Sequence, residues 1–334
     1  MRKIIRLFFS LLFLFALFAC NSNTNQISVF YYDKDDIFLN QLGKKLTDKL
    51  SLNYKITNYY SDKTQLKQNL QVDEVLDKSR VILMNMVDRL ASGAIVEKCK
   101  QKNIPVVFFN REPLLEDMAD YDDCYYVGPN PDEQGMLQVE CAAKIFGDPT
   151  NLNQQYDLNR DNKIQLVILK GEQGHQDAER RTQACLSSLR QKGYDIELLS
   201  IGICNWNQTE AFNLFWSQYQ TTLKDVELVL ANNDEMAIGA ASYIRSVTPV
   251  EEDIIPVIGV DATEAGIAAV KSKLLASTIV NDDTLQVEAI CQLAEIYMNP
   301  NLTIKDLKFN IQNNKFIYIG SEIYSKGAVK KPRF

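Results

Sequence analysis

Residues 81–109 read VILMNMVDRLASGAIVEKCKQKNIPVVFF, and this stretch decides the fold. Val81–Met86 and Pro105–Phe109 are short, continuously apolar runs. Between them lies a longer segment in which Leu90, Ala94, Val96 and Cys99 recur on a polar background. A continuous apolar run predicts a strand covered on both faces, and an amphipathic segment between two such strands predicts a crossover helix. The unit recurs outward in both directions. Ile27–Tyr32 reads as a strand followed by a helix over residues 36–50, whose Leu39, Leu42, Leu46 and Leu50 share one face. Gln165–Leu169, Leu228–Leu230, Pro256–Val260 and Ala276–Val280 read as further strands with helical stretches between them. Such alternation predicts parallel sheets with helices on both faces, and it persists from Ile27 to Val280, too far for one doubly wound domain. The expected fold class is α/β, with two similar doubly wound parallel-sheet domains.

Composition narrows the function. The chain has 334 residues, 46% of them hydrophobic and 24% charged, which is the composition of a folded protein with ample core. Lys and Arg number 36 against 43 Asp and Glu, a formal net charge of −7. An acidic balance without clustered bases argues against nucleic-acid binding. A single histidine, His175, excludes multi-histidine metal sites. No stretch after residue 20 is long and apolar enough to span a bilayer.

Residues 1–20 read as an export signal: Arg2, Lys3 and Arg6 form a basic start, and Leu7–Phe18 an apolar stretch. The segment ends Leu17-Phe18-Ala19-Cys20, which resembles a bacterial lipobox. Cys20 is therefore expected to become a lipid-bearing N-terminus, with residues 21–26 as a polar tether and membrane contact through the anchor alone. The six remaining cysteines, Cys99, Cys124, Cys141, Cys185, Cys204 and Cys291, form no CxxC pair. Most read as small buried apolar residues inside strands or helices.

Ligands of doubly wound sheets bind beyond the carboxyl ends of the strands, so the residues after each strand carry the functional information. There stand Asp36 and Phe38; Asn110-Arg111-Glu112; Gly174-His175-Gln176-Asp177 with Arg181; Asn232-Asn233-Asp234; Asp261; and Asn281-Asp282. Each Asp or Asn alone reads as a helix cap, the reading favoured for Asp234 and Asp282. As a set drawn from both halves they predict a cleft with paired donors and acceptors. Such a cleft suits a neutral polyhydroxylated ligand, whose hydroxyls both donate and accept. The flat faces of Phe38 and Trp206 match the C–H faces of a sugar ring.

These residues resemble the periplasmic galactose/glucose-binding proteins of bacterial ABC sugar importers. The likeness runs from about Ile27 to Gly320. It is carried by Ile104-Pro-Val-Val-Phe-Phe-Asn-Arg-Glu-Pro113, Lys170-Gly-Glu-Gln-Gly-His-Gln-Asp-Ala-Glu-Arg-Arg-Thr182, Ala231-Asn-Asn-Asp-Glu-Met-Ala237 and Gly259-Val-Asp-Ala262. The resemblance implies a type I periplasmic-binding-protein fold with a three-strand hinge near Gly128–Pro129, Asn281 and Gln312. The first domain would hold residues 27–129 and 281–312, the second 130–280 and 313–330. It further implies that Tyr32, Asp36, Asn110, His175, Asp177, Arg181, Asn233, Asp261 and Asn281 line the sugar site, with Phe38 and Trp206 sandwiching the ring. D-glucose and D-galactose would both bind, because Asp36 would lie near O4 and tolerate either epimer.

The family also carries a calcium loop. Asp157, Asn159, Asp161, Lys163 and Gln165 fall at positions 1, 3, 5, 7 and 9 of an EF-hand-like loop, with Asn162 at position 6. Alternating oxygen donors and a backbone carbonyl at position 7 suit Ca²⁺. Position 12 is Ile168, so a true EF-hand is excluded, and the resemblance supplies the missing carboxylate from Glu227. The expected protein is thus no enzyme but a lipid-anchored, monomeric receptor in the cell envelope. It would hand a hexose to an importer's permease, with a chemoreceptor as a compatible further partner. An exported glycosidase using Asp36 and Asp261 is the weaker alternative, since no nucleophile–base constellation accompanies them. A sugar-responsive transcription regulator would need a DNA-binding module where the export signal stands.

Overall fold

The computed structural model describes residues 25–248 and 255–326; Cys20, the leader and most of the tether lie outside the described residues. In chain order the elements are β1 (Gln26–Tyr31), α1 (Ile37–Leu50), β2 (Lys55–Tyr60), α2 (Gln65–Val75), β3 (Val81–Met84), α3 (Ser92–Lys102), β4 (Val106–Phe109), α4 (Leu115–Ala119), β5 (Cys124–Pro129) and α5 (Pro131–Phe146). They continue with β6 (Gly147–Asp148), β7 (Asn151–Leu152), β8 (Ile164–Lys170), α6 (Gln176–Gln191), β9 (Ile196–Ile203), α7 (Gln208–Gln218), β10 (Leu228–Ala231) and α8 (Asp234–Val247). The last are β11 (Val257–Asp261), α9 (Glu264–Lys271), β12 (Ser277–Val280), α10 (Asp283–Met298), β13 (Phe316–Ile319) and β14 (Glu322–Ser325).

Among the described residues the strands form two six-stranded sheets, ordered β13-β5-β4-β3-β1-β2 and β14-β12-β11-β10-β8-β9, beside the small pair β6-β7. Every pairing within them is parallel except β12 with β14. The predominantly apolar runs occupy the interior: every residue of β1, β3, β4, β8 and β10 is buried. On α1 the predicted leucine face, Leu39, Leu42, Leu46 and Leu50, is buried against the first sheet. Each sheet carries an apolar cluster on either face, as a doubly wound domain requires. All six cysteines in the described residues are free and buried, and burial pushes the Cys99 and Cys185 thiols up to about 12, leaving them unreactive small apolar residues.

The chain passes between the domains after Pro129, after Val280 and at Gly320–Ser321, and Ser321 N–H donates to Glu133 Oε2 (3.1 Å), tying the third passage to the first. One expected boundary needs correction. The third crossing lies not near Gln312 but at Gly320, because Phe316–Ile319 pairs in parallel with Tyr126–Pro129 at the edge of the first sheet. Residues 313–319 therefore belong with the first domain.

Candidate functional site

The carboxyl ends of the two sheets face each other across a cleft of about 1090 Å³, open mouth included. All eleven residues expected at a sugar site (Tyr32, Asp36, Phe38, Asn110, His175, Asp177, Arg181, Trp206, Asn233, Asp261 and Asn281) line this one cleft.

From the first domain, the turn after β1 delivers Tyr32 and Asp36. Asp36 caps α1, its Oδ1 accepting from Leu39 N–H (2.8 Å), while Tyr32 Oη–H donates to Oδ2 (2.9 Å). Loss of water raises the Asp36 pKa despite these bonds. Asn110 follows β4 at φ +62°, a conformation Asn tolerates better than most residues. Its Oδ1 accepts from the wholly buried Asn85 (3.1 Å), and its carbonyl accepts from Tyr126 Oη–H (3.2 Å).

From the second domain, His175 caps α6 through Nδ1, which accepts from Asp177 N–H (3.2 Å). Burial, with Arg111 and Arg181 nearby, holds its pKa well below the usual value. The ring is therefore neutral, with its proton on Nε2, a donor free to serve a ligand. Arg181 is 2% exposed; its Nε and Nη2 donate to Gln134 Oε1, and its Nη1 to the Asn232 carbonyl (2.7 Å). Asp177 Oδ2 lies 3.8 Å from Arg181, while Oδ1 is buried without a partner. Burial pushes the Asp177 carboxyl up to about 7 against the pull of Arg181. Trp206, at φ +64°, lies over Gly171, where a Cβ would come within 2.3 Å of the indole. His175 meets its ring edge-on with centroids 5.0 Å apart. Asn233 donates to the Trp206 carbonyl (3.1 Å) and caps α8. Asp261, at φ +110°, accepts from Asn281 (3.0 Å), and its pKa is raised well above normal, mainly by burial and then by Asp234.

Two expectations about caps resolve differently. Asp282 does cap α10, accepting from Leu285 N–H (2.9 Å). Asp234 is not the cap of its helix. Asn233 takes that place, and the buried Asp234 carboxylate accepts from Thr263 N–H and Oγ1–H and from Thr278 Oγ1–H, joining the turn after β11 to the start of β12. Arg111 and Asn232, in the strand-end set but not among the residues that the resemblance assigned to the sugar site, also line the cleft. Arg111 lies over the Tyr32 ring (3.8 Å), and Asn232 Oδ1 accepts from Gly171 N–H (3.2 Å). Arg111 directly follows Asn110 and Asn232 directly precedes Asn233 at strand ends.

Residues 27–300 match a family described as a periplasmic binding protein domain. The chain belongs to that family. It is 33% identical over 302 residues to the D-galactose/methyl-galactoside binding periplasmic protein of Haemophilus influenzae, covering 89% of each chain. It is 24% identical over 237 residues to the ribose import binding protein of Salmonella typhimurium, covering 71% of each. The fold is shared with an ABC transporter solute binding protein of Bacillus halodurans solved with myo-inositol (TM-score 0.72, 22% identity, 92% of this chain and 96% of that one). This periplasmic binding protein is accordingly no enzyme.

Away from the cleft, the loop before β8 gathers the residues expected to hold calcium. Asp157 accepts from the N–H groups of Asp161 and Asn162, Asn159 Oδ1 accepts from Asp161 N–H (2.9 Å), and Asp161 Oδ1 accepts from Lys163 N–H (2.9 Å). Asn162 takes φ +60°, the conformation expected at position 6. Glu227 reaches in from the start of β10, accepting from Leu158 N–H (2.6 Å), and burial pushes its carboxyl up to about 7. Among the described residues no three His, Cys, Asp or Glu side chains form a group able to hold a metal by themselves. A cation here would need amide and carbonyl oxygens as well, and Gln165 Oε1, buried without a partner, is such an oxygen. That mixed donor set fits a hard cation of high coordination number.

A carboxyl whose pKa rises from 3.8 to about 7 on folding adds stability at low pH that is lost as the pH climbs through the folded value. The sugar-free protein should therefore lose melting temperature between about pH 5 and 8. Asp177→Asn should lose less, standing about 1–3 kcal/mol above wild type at the alkaline end. Calorimetric melts at both pH values check this; a variant no more stable than wild type at pH 8 overturns it.

Proposed function

We propose that the protein is a receptor for D-glucose and D-galactose that closes its two domains over the hexose and delivers it to an ABC importer's permease. The observation that carries this reading is convergence. Polar residues from the strand ends of both domains meet in one cleft with two flat aromatics, Phe38 and Trp206. Trp206 would stack on the ring while Asp36, Asp177, Arg181 and Asp261 hold its hydroxyls. The galactoside-binding relative supports the choice of hexose. Relatives and fold neighbours that carry ribose, myo-inositol or D-allose in their names support the wider class of neutral polyols.

Titration calorimetry on the body without its leader tests the assignment. Trp206→Ala removes an apolar face but strands no polar group, so binding should weaken by about 1–3 kcal/mol. Asp261→Ala leaves the Asn281 amide and a sugar hydroxyl unmatched and should cost about 2–4 kcal/mol. Wild type that binds neither hexose at millimolar sugar, or two variants that bind like wild type, would defeat the proposal.

The same proposal includes one structural Ca²⁺ in the loop of Asp157, Asn159, Asp161, the Lys163 carbonyl, Gln165 and Glu227. Removing it should lower stability by about a few kcal/mol, because the carboxylates lose their counter-charge. A melting temperature unchanged by EDTA, with no calcium in elemental analysis, counts against the ion. It also includes acylation of Cys20, which would tether the receptor to the cell envelope. Cys20→Ala in the native host should move the protein from the detergent phase to the aqueous phase; unchanged partitioning removes the anchor.

A further inference from the structure

Arg111 and Glu112 are adjacent, oppositely charged and both buried at the end of β4 in the first domain. Each meets an opposite charge from the second domain. Arg111 Nη2 lies 2.6 Å from Glu172, in the turn after β8, and Arg180 Nη1 of α6 lies 3.7 Å from Glu112 Oε2. Both first-domain members are fixed from behind. Arg111 donates to the Val87 carbonyl and lies over the Tyr32 ring, and Glu112 accepts from Tyr318 Oη–H (2.8 Å). On the other side Arg180 Nε forks onto both oxygens of Asp132 (3.1 Å each), which holds its free end towards Glu112. The Glu172 turn is pinned in turn by Lys170, which pairs with Glu179 (2.6 Å) and donates to Gln173. Four charges held by their own domains thus form two pairs of opposite polarity across the interdomain boundary.

We infer that Arg111–Glu172 and Arg180–Glu112 form a two-point electrostatic clasp that favours the closed arrangement of the domains independently of any ligand. Whatever binds the cleft then needs less free energy to close it, and its escape requires both pairs to part. Glu172 and Arg180 are the members to change, since neither lines the cleft and both are partly exposed.

The test uses small-angle scattering of the sugar-free protein as wild type and as Glu172→Gln/Arg180→Gln, at about 20 mM and about 500 mM NaCl. At low salt the double variant should have the larger radius of gyration, and the difference should shrink at high salt as screening weakens the wild-type pairs. Lys45→Gln, which breaks the pair of Lys45 with Asp283 inside the first domain, should scatter like wild type. Identical radii for wild type and double variant, or an equal expansion in Lys45→Gln, overturn the clasp. The scattering does not depend on the hexose reading, so failure of one is separable from failure of the other. Where hexose binds, the double variant should also release it about tenfold faster, each single variant about threefold faster; wild-type release rates in the double variant likewise overturn the clasp.

Discussion

A guanidinium almost wholly removed from water must be hydrogen-bonded on every side that the protein closes, and Arg181 organises the second domain's half of the cleft around that requirement. Gln134 of α5 takes two of its donors and the Asn232 carbonyl beyond β10 a third. This single side chain of α6 therefore fixes the relative positions of one strand end and two helices. The helices must approach closely for it to reach. Gly135 allows this, since a Cβ there would come within 2.6 Å of the Arg181 carbonyl. With Arg181 in place, the Asp177 carboxylate one turn earlier on α6 has a counter-charge on one oxygen and nothing on the other. That is the geometry of an acceptor kept for a ligand.

The first domain solves the same problem with amides. Asn85, wholly buried beyond β3, accepts from Tyr32 N–H through its side-chain oxygen and donates to Asn110, joining the ends of β1, β3 and β4. Gln68 of α2 in turn donates to the Asn85 carbonyl (3.0 Å) and accepts from Val87 N–H (3.0 Å). Neither residue touches the cleft, yet both hold the turns that do. The two domains thus hold the polar groups of the cleft through hydrogen bonds to buried side chains and strand ends behind them, so those groups need little rearrangement when the cleft fills.

Much of this was legible from residue order because a parallel strand buried on both faces is largely apolar. Except for β5, whose buried Cys124–Pro129 is not among the strands read from the sequence, the interior strands announce themselves this way, β1, β8 and β12 with polar residues inside the run, and their carboxyl ends point to the cleft. The edge strands do not. β2 and β9 expose one face, so Lys55–Tyr60 and Ile196–Ile203 mix apolar with polar residues and carry no continuous run. β13 escapes for another reason. Its four residues follow a long irregular stretch, and only the parallel register with β5 shows which sheet they join. The caps at α8 show the same limit on a smaller scale. Asn233 and Asp234 are equally good caps by type, and only the position of Thr263 and Thr278 decides that the carboxylate turns inward.

The charges of the cleft themselves restrict what can occupy it. Burial raises the pKa of Asp36, Asp177 and Asp261, while His175 is held neutral. An anionic ligand would add repulsion to carboxylates that already lack water. A cationic ligand would meet the positive charges of Arg111 and Arg181 in the same lining. A neutral ligand rich in hydroxyls avoids both penalties, donating to the carboxylates and accepting from the guanidinium, the amides and His175 Nε2–H. Each hydroxyl that donates to one of these carboxylates stabilises its ionised form and so draws its pKa back towards the ordinary range. A ligand whose hydroxyls donate to these acids would favour their ionised forms, so its binding would be accompanied by release of protons from the cleft.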